Sequence, residues 1–134
     1  MRQILSIIAG LSTAYLIIVM ANMIKEGLYP TPVELDFSNK QAVEAWFDTL
    51  PAKAFLITAI SHALSAFSAG FISSLVSGVS RYIFGLISVT VIFVTAIIFL
   101  LSYNFPAWFV ISDTLATAVL GFFGVILGGS RYNN

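Results

Sequence analysis

Hydrophobic positions in this chain fall in long runs, with no short alternating segments and no heptads. One run covers residues 4–24 and a second about 52–79, the latter diluted by serine and alanine; a third covers 83–103 and a fourth 107–127. Each reaches the roughly 20 residues with which a helix crosses a hydrocarbon core. Inside lipid a backbone must satisfy its own hydrogen bonds, so the runs predict helices even where Ile, Val and Phe crowd them. The repeated ~10-residue alternation of a membrane barrel is absent. The expected fold is an all-α membrane protein, a four transmembrane helix bundle forming one domain over residues 1–134. The first run also admits a signal-peptide reading, with Val19 and Ala21 at the cleavage position. Its length and the partly apolar Asn22-Met23-Ile24 that follows argue for a span instead.

Between the first two runs lies the only sizeable polar segment, residues 25–51. Tyr29-Pro30-Thr31-Pro32 predicts a stiff, extended stretch, because proline fixes its own φ and restricts its predecessor. Ser38 followed three residues later by Gln41 has the look of a capping box. Ala42, Val43, Trp46, Phe47 and Leu50 then share one helical face. The pattern predicts a short amphipathic helix over about 39–49. Two roles need that same apolar face: lying in the membrane interface, or docking a partner. Trp46, Trp108, Tyr29 and Tyr103 are expected at headgroup level.

Composition narrows the class. Hydrophobic residues make up 59% and charged residues 9%, with a mean hydropathy of +0.99. A domain of 134 residues cannot hide that much apolar surface from water, which excludes an ordinary soluble domain. Six basic residues balance six acidic ones, and no basic patch suggests nucleic acid. Cysteine is absent, which removes disulfides, thiolate catalysis and cysteine–metal sites. A single histidine argues against a multi-histidine metal or haem site, so no metal and no cofactor is expected.

Arg2, Arg81 and Arg131 fall on one side of a four-span topology, unaccompanied by acids. Lys25, Lys40 and Lys53 fall on the other, among Glu26, Glu34, Asp36, Glu44 and Asp48. Lys and Arg alone tie, and the amino terminus together with the short acid-free segments tips the arginine side inward. Both termini are therefore expected in the cytoplasm, with Arg2, Arg81 and Arg131 as inner-side anchors.

Small residues mark the helix faces expected to pack. Ala66, Gly70, Ser74 and Gly78 recur every fourth position, and Gly121, Gly124 and Gly128 form a similar stripe. Gly10, between Ser6 and Ala14, gives a shorter one. Such stripes let backbones approach closely where lipid supplies no hydrophobic drive, within one chain or between copies. The third span has only Gly85 and is expected to be the most lipid-exposed, with the second and fourth spans central. Ser80-Arg81-Tyr82 returns as Ser130-Arg131-Tyr132, and Ala66, Ser74 and Gly78 find Ala116, Gly124 and Gly128 at the same offset. The second and fourth spans thus end alike, which suggests two repeated hairpins related by an axis along the membrane normal.

Two ionisable residues lie inside spans, His62 and Asp113, and each is a candidate functional group because an unpaired intramembrane charge is costly. His62 precedes Arg81 by 19 residues and Asp113 precedes Arg131 by 18. At 1.5 Å per residue both stand roughly 27–28 Å from their arginines, at matched height. Matched height allows a hydrogen bond between them, with Ser61, Ser65, Ser112 and Thr114 able to complete a polar cluster, but does not fix whether the two share a face. The pair reads first as helix glue and second as part of a binding site. No G-x-S-x-G elbow accompanies it, and Glu34 and Asp36 lack the spacing of a calcium loop.

The run Tyr29-Pro30-Thr31-Pro32, then Leu50-Pro51-Ala52 with Ala54-Phe55, then His62-Ala63-Leu64 and Ala69-Gly70 resembles a group of small bacterial membrane proteins with four predicted spans. The resemblance implies a bacterial inner-membrane protein and carries over no functional residues. The expected role is non-enzymatic: an accessory, scaffold or assembly subunit, self-associating or joined to other membrane subunits through helix faces and the outer loop. The alternative is a small transporter or ligand-binding protein with an outward-facing polar pocket at His62 and Asp113.

Overall fold

The computed structural model describes residues 1–131, all helix and connecting turns, with no strand among them. The elements are α1 (Arg2–Leu28), α2 (Lys40–Asp48), α3 (Ala52–Ser77), α4 (Arg81–Ser102) and α5 (Ala107–Ser130). Helices α1, α3, α4 and α5 are each long and apolar enough to cross a membrane, and together they form an antiparallel four-helix bundle. α3 is the central element, packed against α1, α4 and α5, whereas α1 and α5 do not meet.

Small side chains explain this arrangement. On α1, Ser6, Gly10 and Ala14 are buried against α3, where Gly10 faces Ser73 and the Ala69 carbonyl. Gly124 and Gly128 bring α5 onto the Phe67 and Phe71 carbonyls of α3 so closely that a Cβ at either position would overlap them. Gly70 and Gly121 face each other's helices around Val89. The stripes of small residues are therefore spent within the bundle. Serines fasten it further. Ser73 donates to the Ser6 carbonyl at 2.9 Å and lies 2.6 Å from Ser88 Oγ on α4, so Ser88 is the donor in that second bond. Ser65 donates to the Ala14 carbonyl at 3.2 Å.

Several expectations are corrected. α4 is not the most exposed span: Gly85, Ser88, Val89, Ile92 and Ala96 form a buried helical stripe, and α1, buried only at Ser6, Gly10 and Ala14, is the peripheral helix. α1 also runs past residue 24 to Leu28, α4 begins at Arg81, and α5 continues to Ser130. The second and fourth spans do not end alike. α3 stops at Ser77, and Gly78 turns the chain at φ 83°, with Ser80 at φ 47°, so Gly78 is a turn residue rather than a packing residue. Its counterparts Gly128 and Ser130 are still helical. This weighs against the duplicated hairpin, and Tyr132 of the recurring tripeptide lies outside the described residues. Arg2, Arg81 and Arg131 do gather at one end: Arg2 Nε donates to the Val76 carbonyl at 2.6 Å, and the Arg131 guanidinium lies 5.9 Å from the Phe71 ring centre.

Candidate functional site

At the opposite end α1, α3 and α4 line a partly open cavity of about 530 Å³. Ligand sites of small molecules span roughly 300–1,000 Å³. α1 contributes Ile18, Ala21, Asn22, Lys25 and Glu26, one face at helical spacing. From Ile18 to Glu26 that face runs roughly 12 Å along the helix. α3 contributes Ile57, Thr58, Ser61 and His62, and α4 contributes Ile92, Thr95, Ala96 and Phe99. Thr31, Phe37, Trp46, Phe47 and Tyr103 close the end.

Residues 29–51 form the roof, and their own chemistry ties them down. Both oxygens of the Glu26 carboxylate accept from Thr31, from its N–H at 2.8 Å and its hydroxyl at 2.6 Å, pinning the start of the roof to α1. Asp36 accepts from the Ser38 hydroxyl at 2.6 Å and its N–H at 2.9 Å, which holds the Asp36 carboxyl below its ordinary value. Because Ser38 is committed to Asp36, the N-cap of α2 is Asn39, whose side chain accepts from the Ala42 N–H at 3.2 Å; the predicted Ser38–Gln41 box does not form.

The apolar face of α2 packs on its own bundle. Val43 is fully buried, and Phe47 and Leu50 pack on the cluster of Phe55, Leu100, Phe105 and Phe109. The Phe47 ring stacks on Phe105 at 5.2 Å and meets Tyr103 edge-on at 5.3 Å. Glu44 accepts from the Asn104 N–H at 2.8 Å. α2 is thus fastened to the α4–α5 turn, with Trp46 at the cavity. Trp108 stays 42% exposed beside this cluster.

His62 and Asp113 meet. Nδ1 lies 2.7 Å from Asp113 Oδ2, and Asp113 is fully buried. The Thr117 hydroxyl donates to the other carboxylate oxygen at 3.1 Å. Phe99 meets the imidazole edge-on at 5.7 Å. His62 lines the cavity, so the pair forms part of its wall with Asp113 behind the ring. With Nδ1 given to the carboxylate, Nε2 is the uncommitted ring nitrogen. Ser65 is spent on α1 and Ser112 is exposed, so neither completes the cluster. Thr117, one turn beyond Asp113, does so instead.

Sequence reading missed Asn22, Lys25, Thr58 and Thr95. The signal was present: Ile18, Ala21, Asn22 and Lys25 continue the helical period that an apolar boundary at residue 24 cuts off. Lys25 Nζ donates to Thr58 Oγ1 at 3.2 Å and has no carboxylate within ion-pair distance among the described residues. Asn22 and Ser61 have no side-chain partner among those residues. Glu34 and Asp36 are not brought to His62 and Asp113, and no group of three metal-ligating side chains occurs among the described residues.

No family model, curated protein or solved structure matches the chain. The functional reading therefore stands on the cavity.

Proposed function

We propose that this chain is a non-enzymatic, ligand-binding protein of the bacterial inner membrane, with its termini in the cytoplasm and its roofed cavity facing outward. One observation carries the reading: Asn22, Lys25, Thr58, Ser61, His62 and Thr95, all on membrane-length helices, converge on one cavity. Polar groups at membrane depth are costly and collect where they face water, a ligand or one another. Glue accounts for the His62–Asp113–Thr117 and Lys25–Thr58 contacts, and the Thr95 hydroxyl is spent on the Val91 carbonyl, which leaves Asn22 and Ser61 on the same wall unexplained. The orientation follows from the amino terminus and the short acid-free segments at the arginine end, which tip a Lys and Arg count that is otherwise tied. Unbroken helices favour binding over alternating access, which uses broken ones.

A second reading, an accessory or assembly subunit, draws support from α1, which buries only Ser6, Gly10 and Ala14 and leaves its remaining surface for lipid or a partner helix. Photo-crosslinking separates the two. Benzoylphenylalanine placed at Phe37, whose ring lines the cavity, is expected to give one discrete small-molecule adduct. At Leu16, 60% exposed on α1, it is expected to give mixed lipid adducts. Protein adducts from position 16, with none of fixed small mass from position 37, would instead support the subunit.

A further inference from the structure

The cavity described above has an uneven supply of hydrogen-bond donors and acceptors. Two carboxylates stand at its edge, and both are already engaged: Glu26 accepts twice from Thr31, and Asp113 accepts from His62 and Thr117. The one cationic side chain in the wall, Lys25, is half-buried and bonded only to a neutral hydroxyl. Its ammonium retains two N–H donors without an acceptor among the described residues. The neighbouring Glu26 carboxylate interacts with that charge electrostatically but forms no ion pair with it among the described residues, so an ammonium drawn partly out of water still lacks a direct counter-charge to offset the lost hydration. Asn22 lies three residues earlier on the same face of α1, and Ser61 lies three residues after Thr58 on α3. Both carry uncommitted donors. Thr58 and His62 are four residues apart, so Lys25 and the imidazole are offset by roughly 6 Å along α3.

Past this polar band the wall is apolar, formed by Ile18, Ile57, Ile92 and Ala96, with Phe99 beside His62. Aromatic rings at the roof, Trp46 and Tyr103, are the type that also hold quaternary ammonium groups. Lys25 opposes that choice by direct repulsion.

We infer that the cavity takes an amphiphile with an anionic head, a carboxylate or a phosphate, held between Lys25, Asn22 and Ser61, with its apolar body against Ile18, Ile57 and Ile92. The inference rests on the ligand-binding reading and adds the ligand's charge and shape. Carboxylate and phosphate share the chemistry, and separate probes distinguish them.

The test uses the full chain in nanodiscs of zwitterionic phosphatidylcholine, in a Trp108→Phe background that leaves Trp46 at the cavity as the sole tryptophan. Its fluorescence is titrated with 10-bromodecanoate, bromodecyl phosphate, 10-bromodecanol and bromodecyl-trimethylammonium, each a bromine quencher on a similar tail. Saturable quenching is expected from one or both anions. Lys25→Met should weaken it about tenfold and Lys25→Arg should restore most of it, while Lys53→Met, an exposed lysine at the start of α3, should leave it unchanged. Ala21→Phe, which fills the cavity, should abolish it. Two results would overturn the anionic head while leaving a ligand cavity: equal quenching by the alcohol without a Lys25 effect, or preference for the trimethylammonium probe. Quenching that never saturates for any probe and ignores Ala21→Phe would overturn both.

Discussion

His62 Nδ1 and Asp113 Oδ2 stand 2.7 Å apart across α3 and α5, although 51 positions separate them in the chain. The contact fixes the register of the two helices and sets one face of the imidazole against the cavity. It also buries a carboxylate completely, so the pair is worth more broken than built. Removing one partner of a buried pair leaves an uncompensated charge, at a cost of about 3–5 kcal/mol. His62→Leu is expected to lower bundle stability by that order, and His62→Leu with Asp113→Leu is expected to recover most of it. Unfolding of the purified variants, read as a double-mutant cycle, checks this. Coupling near the ~0.6 kcal/mol average of intramembrane hydrogen bonds would mean that the pair is not dry.

Gly124 makes a second prediction, about the packing that sets the floor of the bundle. A Cβ there would overlap the Phe67 carbonyl, so Gly124→Val forces α5 off α3 and costs about 1–3 kcal/mol as overpacking. Gly27, with nothing near its virtual Cβ and a helical backbone, is the control. Gly27→Ala is expected to be neutral or stabilising by up to about 1 kcal/mol. Thermal unfolding in one detergent compares them, and equal losses at both sites would contradict the close approach.

The roof should loosen without the bundle. Phe47→Ala removes the stack on Phe105 and the edge contact to Tyr103. The ring is half-buried, so the expected cost is about 1–3 kcal/mol, below the ~3–5 of a fully buried aromatic. Limited proteolysis is expected to cut within residues 29–39 faster than in the wild type, with the circular dichroism of the four long helices unchanged.

Asp36 gives the roof a dependence on pH. Hydrogen bonds from the Ser38 hydroxyl and N–H lower its folded pKa below the unfolded value. The folded turn therefore binds its proton less readily than the unfolded chain does. Its stabilisation is fully present above the unfolded carboxylate value, about 3.9, and is lost as pH falls through the lower folded value. Cleavage within residues 29–39 by an acid-tolerant protease is expected to rise over that window. Because the Glu26 carboxylate that holds Thr31 also protonates in acid, Asp36→Asn, which does not titrate, should reduce the rise, and Asp36→Asn with Glu26→Gln should flatten it.

Much of this fold was legible in the chain, because four apolar runs of membrane length permit few structures. The matched height of His62 and Asp113 was legible too, although the count from Arg81 ran through the Gly78 turn; that the two side chains share a face was not. The cavity was not. It is assembled from α1, α3, α4 and the roof, and each contributes one or two polar residues that look incidental in their own helix. Lys25 was the costliest omission: hydropathy ends the first span at residue 24, yet the helix continues one more turn and aims that side chain at Thr58. The stripe on α4 was hidden for a related reason. Gly85, Ser88 and Ala96 are spaced among bulkier Val89 and Ile92, so the face does not read as small. α2 was read correctly as amphipathic, but a hydrophobic face alone does not say whether it meets lipid, a partner or its own bundle.

The claim that the roofed cavity binds a small ligand is tested most directly by native mass spectrometry of the protein released from its own membrane in mild detergent. The account predicts the 14.5 kDa chain carrying one small adduct of reproducible mass, present at up to one per chain and absent from Ala21→Phe. A chain that arrives bare, or whose adducts are a mixture of bulk lipids unchanged by Ala21→Phe, would contradict it.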